Sequence, residues 1–279
     1  LSDGNHVGRG ECVPYARYGE SVESVIAEIN AVTISDGADV RAMKPGAARN
    51  AVDCAYWDLR AKQKGSPAHV LAGYDKLHAV ETAYTLTAVE SDAMQHAASL
   101  VAELPLLKIK LLGTRDAERL RTARAGAPSA KIMVDANEGL TVESYQALLP
   151  LMEEIGIIAI EQPFPADGDE ALRQLPRPIP VIADESAHTA HELKSLVGKY
   201  DMVNIKLDKT GGLSAGLDML HQAKEMGLGV MVGCMVGSSL AMAPATILAQ
   251  GVAFTDLDGP LLLAEDRDQP LQFDDNGVH

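Results

Sequence analysis

From about residue 80 the chain alternates short β-prone apolar runs with longer stretches whose apolar residues recur at helical spacing, the pattern of βα units around a parallel sheet. Eight runs stand at 82–87, 105–110, 130–135, 157–161, 180–184, 201–206, 228–235 and 252–258. They start roughly every 25 residues, about what one strand, two short loops and a three-turn helix consume. Between them, stretches such as 142–154 (VESYQALLPLMEE) and 214–226 (SAGLDMLHQAKEM) line up apolar residues on one helical face. Eight such units predict an α/β fold of the (β/α)8 barrel type over residues 80–259.

The first 79 residues follow another pattern. Helical spacing over 22–32 and 47–64 flanks a loop through Lys44-Pro45-Gly46, and 7–13 reads as a strand. Ser2-Asp3-Gly4-Asn5 reads as the turn of a hairpin whose first strand precedes the chain, so a smaller α+β capping domain lacking its first strands is expected at 1–79. Residues 260–279 are expected to pack back on that domain.

With 47% apolar residues, 279 residues can bury a large core, and no apolar run is long enough for a transmembrane helix. The balance of 24 Lys+Arg against 39 Asp+Glu gives a net charge of −15, the wrong sign for nonspecific nucleic-acid binding. Cys12, Cys54 and Cys234 are odd in number and lack a CxxC spacing, which fits neither a disulfide framework nor a zinc site. No secretory signal opens the chain, and a cytoplasmic location is expected.

In barrels of this type chemistry sits at the C-terminal ends of the strands, and those ends are strongly polar here. Run two ends in Lys108-Ile109-Lys110, run three in Asp135-Ala136-Asn137, run four in Glu161-Gln162-Pro163 and run five in Asp184-Glu185-Ser186. Run six ends in Asn204-Ile205-Lys206 and run eight in Asp256-Leu257-Asp258. Asp135, Glu161 and Asp184 therefore come from three consecutive strands and stand side by side. Three such acids repel unless a hard divalent cation such as Mg²⁺ takes their oxygens. The competing explanation is that each acid caps the helix that follows it. Strands two and six lie half a turn apart, so Lys110 and Lys206 face each other across the mouth, an arrangement for two-base proton transfer in which one lysine is neutral and the other charged. The competing explanation for a single strand-end lysine is a solvated cation.

The ordered set KIK, DAN, EQP, ADES, NIKLDKTGG and DLDGP resembles the enolase superfamily, in its muconate-lactonizing subgroup, and is most similar to the L-Ala-D/L-Glu dipeptide epimerases. GRGECVPYARYGES and GAARNAVDCAYWDL extend the resemblance into the first 79 residues. It implies the superfamily's modified TIM-like barrel and one Mg²⁺ per subunit on Asp135, Glu161 and Asp184. It further implies Lys110 and Lys206 as the acid/base pair, with Lys108 beside the substrate carboxylate. Asp256 and Asp258 would then await the α-ammonium of a small dipeptide, and Cys234 and Met235 on run seven, with Ser238 beyond it, would complete substrate binding. The activity implied is 1,1-proton transfer through an enediolate, in murein peptide recycling; a homo-oligomer is left open.

Other features read as ordinary. Cys234 has no histidine on its strand and reads as packing, His188-x-x-His191 as helix surface, and Gly211-Gly212 as a weak phosphate-turn signal. Rival functions are an N-succinylamino acid racemase or cycloisomerase on the same fold, which would leave Asp256 and Asp258 unpaired, a Schiff-base lysine aldolase, and a noncatalytic fragment.

Overall fold

A computed structural model describes residues 1–87, 91–274 and 277–279. Eight parallel strands pair in sequence order: β1 (Tyr84–Leu86), β2 (Leu106–Lys110), β3 (Lys131–Asp135), β4 (Ile157–Glu161), β5 (Val181–Ala183), β6 (Met202–Lys206), β7 (Gly229–Gly233) and β8 (Phe254–Asp256). The amide of Ala83 donates to Thr255 O at 2.8 Å, tying the last strand to the first, and the sheet forms a TIM-like barrel. Every strand falls inside its expected run, so the eightfold spacing is a true structural period.

Strand alternation builds two cores. Leu106, Met133, Ala159, Ile182, Met202 and Met231 cluster inside the barrel with Ala83. Their neighbours of opposite parity, such as Leu107, Ile109, Ile132, Val134 and Val203, join the outer core against the helices. Because side chains repeat every two residues, the inner set continues upward as Lys108 and Lys110, Asp135, Glu161, Asp184, Asn204 and Lys206, Gly233, and Asp256 and Asp258. An apolar floor thus carries a polar mouth.

The early helices are α1 (Val22–Ala31), α2 (Gly37–Ala42), α3 (Ala47–Lys64) and α4 (Ala68–Leu71). Around the barrel follow α5 (Ser91–Leu100), α6 (Asp116–Gly126), α7 (Val142–Glu154), α8 (Leu193–Leu196), α9 (Leu207–Thr210), α10 (Leu213–Glu225) and α11 (Ser239–Leu248). After β4 and β5 the expected long helices give way to a 3-10 turn, Asp169–Arg173, and to the single turn α8. A buried polar cluster fills this side, with Asp169 accepting from Lys199 Nζ (2.5 Å), Ser186 Oγ (2.8 Å) and Tyr200 OH (2.9 Å).

The segment 7–13 is not a strand. Among the described residues its only bridge is Ser2 to Val7, and Gly8 and Gly10 instead lie on α3, where an added Cβ would stand 2.1 Å from Ala55 O and from Ala51 O respectively. The Gly211-Gly212 pair likewise serves packing and not a phosphate: a Cβ on Gly211 would meet Arg49 Cδ at 2.7 Å, and one on Gly212 would meet Asp53 Cβ at 2.5 Å. Both also have φ near +91° and +102°, which favours glycine. The C-terminal stretch bonds to Ser239 through Asp266 and Leu271, and Val278 pairs with Val80. Among the described residues no helix is long and apolar enough to cross a membrane.

Candidate active site

The register lines the acids up. Lys110 pairs with Asp135 across β2 and β3, and Asp135 with Glu161 across β3 and β4, while Asp184 follows directly after β5. All three carboxylates are buried. Lys110 Nζ donates to Asp135 Oδ2 at 2.6 Å and to Asn137 Oδ1 at 2.8 Å, and Lys206 Nζ donates to Asp184 Oδ2 at 2.7 Å. The two lysines singled out in the sequence thus engage the two outer acids of the row.

Lys108 lies on the same inward face of β2. One alternation deeper than Lys110, it is buried among acids, with Nζ 3.0 Å from Asp135 Oδ2, 2.7 Å from Glu161 Oε2 and 2.8 Å from Asp256 Oδ2. It holds these carboxylates together. For the same reason Asp256 and Asp258 are not simply a pair awaiting a cation, since Asp256 is shared with Lys108 and Asp258 Oδ2 accepts the Thr85 amide at 2.7 Å. They remain short of positive charge all the same: burial and then Asp256 push Asp258 up to about 6, and Asp256 Oδ1 is buried without a donor.

The row of three shows the same shortage. Burial and then Asp135 push Glu161 up to about 7 against the pull of Lys108, and its Oε2, although in ion-pair range of Lys108, receives no aligned hydrogen bond. Asp135 and Asp184 behave oppositely: burial raises them, but Lys108 and Lys110 beside Asp135, and Lys206 and Lys209 beside Asp184, outweigh it and hold both below the ordinary carboxylate range. The charge state of Lys206 depends on the same acids. Burial lowers it, while Asp184 and Glu161 outweigh that effect and raise it above the usual lysine range, a pull that a cation on those two acids would offset.

Among the described residues no three acid, thiol or imidazole groups close into a ready-made metal cage, and Lys108 supplies part of the neutralising charge. The donor set nevertheless fits a hard cation: three carboxylates on adjoining strands, the middle one undercompensated and with an oxygen lacking a hydrogen-bond donor.

The residues at the end of strand seven are engaged within the protein. Ser238 caps α11, its Oγ accepting the Leu240 amide at 3.2 Å and bonding Glu11, so its hydroxyl is committed. Cys234 is half-buried, and burial with Asp256 and Asp258 pushes its thiol up, the reverse of a nucleophile. Met235 presents its carbonyl to Gly259, where a Cβ would stand 3.0 Å away. His188 is not plain surface: its ring meets Tyr18 edge-on at 4.8 Å, and burial lowers its pKa. Tyr18 belongs to residues 11–20, which reach the strand ends through Glu11 to Ser238, Val13 N to Asp208 and Arg17 to Glu138.

Several residues without an assigned role in the sequence also enter the site. Asn204 Nδ2 donates to Glu161 Oε1 at 2.7 Å, and Asn137 Nδ2 to Glu185 Oε1 at 3.1 Å. Gln162, at φ +33°, accepts the amides of Asp184 (2.8 Å) and Ser186 (3.1 Å) on its Oε1. Lys209 lies fully buried against Asp184. Their signal in the sequence is position alone, at the end of a strand or within one turn beyond it.

The enolase C-terminal domain-like family model matches residues 92–277. The L-Ala-D/L-Glu epimerase of Escherichia coli (strain K12) is 42% identical over 280 residues, 98% of this chain and 87% of that protein. The N-acetyl-D-glutamate racemase of a Pseudoalteromonas species is 40% identical, covering 99% of this chain and 90% of that protein. Among solved structures, an Agrobacterium tumefaciens enolase family member with homology to dipeptide epimerases, with bound sodium and L-Ala-L-Glu, superposes with a TM-score of 0.97 at 48% identity, covering 100% of this chain and 87% of that one. With the barrel and its ring of strand-end acids and lysines, this match places the chain in the enolase C-terminal domain-like family.

Proposed function

We propose that the protein epimerises dipeptides of the L-Ala-D/L-Glu type, with Asp135, Glu161 and Asp184 holding one Mg²⁺ and Lys110 and Lys206 moving the proton. The observation that carries this reading is the pair of lysines from β2 and β6 bonded to the outer two acids of one carboxylate row. Similarity to the Escherichia coli epimerase supports the substrate class. Abstracting a proton α to a carboxylate creates a dianionic enediolate, and a bound divalent cation supplies the charge stabilisation it needs. Lys206 or Lys110 takes the α-proton on one face and the other returns one on the opposite face, inverting the centre. Lys108 keeps the acids together beneath. The undercompensated Asp256 and Asp258 receive the substrate's α-ammonium on the far wall. A place in cytoplasmic recycling of cell-wall peptides follows from the substrate class.

A second reading, racemisation of an N-acylated glutamate, is favoured by one observation: Asp256 and Asp258 already hold Lys108 and Thr85 N, so a substrate without an ammonium leaves them partly satisfied. α-Proton exchange in D₂O with Mg²⁺ separates the two. L-Ala-L-Glu should exchange and invert while N-acetylglutamate exchanges far more slowly; the reverse order establishes the second reading, and exchange of neither refutes both.

A further inference from the structure

We infer that Lys209 is a positioning residue that fixes the Asp184 carboxylate and, through it, the Lys206 ammonium; the inference rests on the two-lysine reading above. α9 begins directly after β6, so Lys206 and Lys209 stand three residues apart on one turn, on the same side of the chain. The Lys209 side chain is 0% exposed, which places its charge well away from solvent. Its Nζ donates to Asp184 Oδ1 at 2.7 Å, to Asp184 O at 2.6 Å and to Asn204 O at 3.2 Å, which uses all three ammonium donors.

The consequence for Asp184 is geometric. Lys209 holds Oδ1 while Lys206 holds Oδ2 at 2.7 Å, and Gln162 Oε1 takes the Asp184 amide at 2.8 Å. The carboxylate cannot turn about its χ2 axis without releasing one ammonium. Each oxygen keeps a further lone pair, so this grip leaves room for a cation. The third bond, to Asn204 O, joins Asp184 to the middle acid, because Asn204 Nδ2 donates to Glu161 Oε1 at 2.7 Å. Lys110 stands outside this arrangement, with its bonds going to Asp135 and Asn137.

Lys209 therefore acts unequally on the two halves of the site: its loss loosens Asp184, which both faces share through the cation, and in addition frees Lys206, so proton transfer should slow more on the face that Lys206 serves. A residue that merely supports the fold would slow both faces equally. The test is α-proton exchange in D₂O with Mg²⁺, measured separately for L-Ala-L-Glu and L-Ala-D-Glu, in wild type, Lys206→Ala, Lys110→Ala, Lys209→Met and Lys209→Gln. Lys206→Ala and Lys110→Ala identify which epimer each lysine serves. At saturating Mg²⁺, Lys209→Met should slow the epimer served by Lys206 at least about tenfold more than it slows the other, the scale expected when a reacting group is misplaced. Lys209→Gln, which keeps donors for Asp184 without the charge, should fall between, and it carries the test if circular dichroism shows Lys209→Met unfolded. Equal slowing of both epimers, or of neither, overturns the inference. Wild-type protein that exchanges neither epimer overturns the proposed function and this inference with it.

Discussion

Two buried polar clusters lie within the same barrel, and they are built to opposite standards. Around Asp169 every carboxylate oxygen has a donor: Lys199 on Oδ1, and Ser186 and Tyr200 on Oδ2. Gln162 Nε2 completes that network by donating to Ser186 Oγ and Tyr200 OH, both at 2.9 Å. At the mouth, by contrast, Glu161 Oε2, Glu185 Oε2, Asn204 Oδ1 and Asp256 Oδ1 are buried with no hydrogen bond, four of the six such side-chain atoms among the described residues. Unmet buried acceptors cost stability, so a satisfied cluster serves the fold, and an unsatisfied one holds groups in readiness for a ligand. The two clusters meet at residues 184–186, where the same Gln162 that belongs to the quiet network holds the amide of Asp184.

The comparison can be broken from either side. The largest effect is expected at the mouth: Lys206→Ala and Lys110→Ala should each lower epimerisation by roughly 10²- to 10⁴-fold or more, with little change in the urea midpoint. In the quiet cluster, Asp169→Ala strands the buried Lys199 ammonium and should cost about 3 to 5 kcal/mol of stability by denaturant titration, while the folded fraction still exchanges α-protons. If Asp169→Ala abolished exchange in folded protein, the division of labour between the clusters would be wrong.

A smaller effect links the capping segment to the barrel through Asp208, which accepts from Val13 N at 2.9 Å and Asn50 Nδ2 at 2.8 Å. Burial, outweighing those two bonds, pushes its carboxyl from 3.8 up to about 6. The folded value lies above the unfolded one, so this group's stabilisation is complete below about pH 3.8 and is lost as pH rises through about 6. The loss amounts to about 2 to 3 kcal/mol, and Asp208→Asn should remove that part of the decline in stability measured between pH 4 and pH 7. The smallest effect is expected at Ser238. Its replacement by alanine should cost about 1 kcal/mol through loss of the α11 cap, and a large rise in KM instead would return it to substrate binding.

The barrel was legible because strand parity and spacing are local and regular. The same parity brought Lys110, Asp135, Glu161, Asp184 and Lys206 to one mouth. It also sank Lys108 one step deeper, a difference that pattern alone did not reveal until three acids were found around it. Segment 7–13 departs from the strand its pattern predicts because an extended backbone suits pairing with a strand and lying on a helix equally well; Gly8 and Gly10, pressed on α3, distinguish the two. Lys209 was hidden for a different reason. It lies beyond the strand end, and its inward direction depends on a one-turn helix starting without a loop after Lys206. The charge balance at Lys206 is set by Asp184 and Glu161 from neighbouring strands, which composition does not reveal.

The central claim is that two lysines serve opposite faces of one substrate carbon. It is tested most directly by α-proton exchange of L-Ala-L-Glu and L-Ala-D-Glu in D₂O with Mg²⁺, using wild type, Lys110→Ala and Lys206→Ala. Wild type should exchange and interconvert both epimers. Each variant should lose epimerisation but still exchange one epimer, a different one in each case. Near-normal epimerisation by either variant would contradict the account.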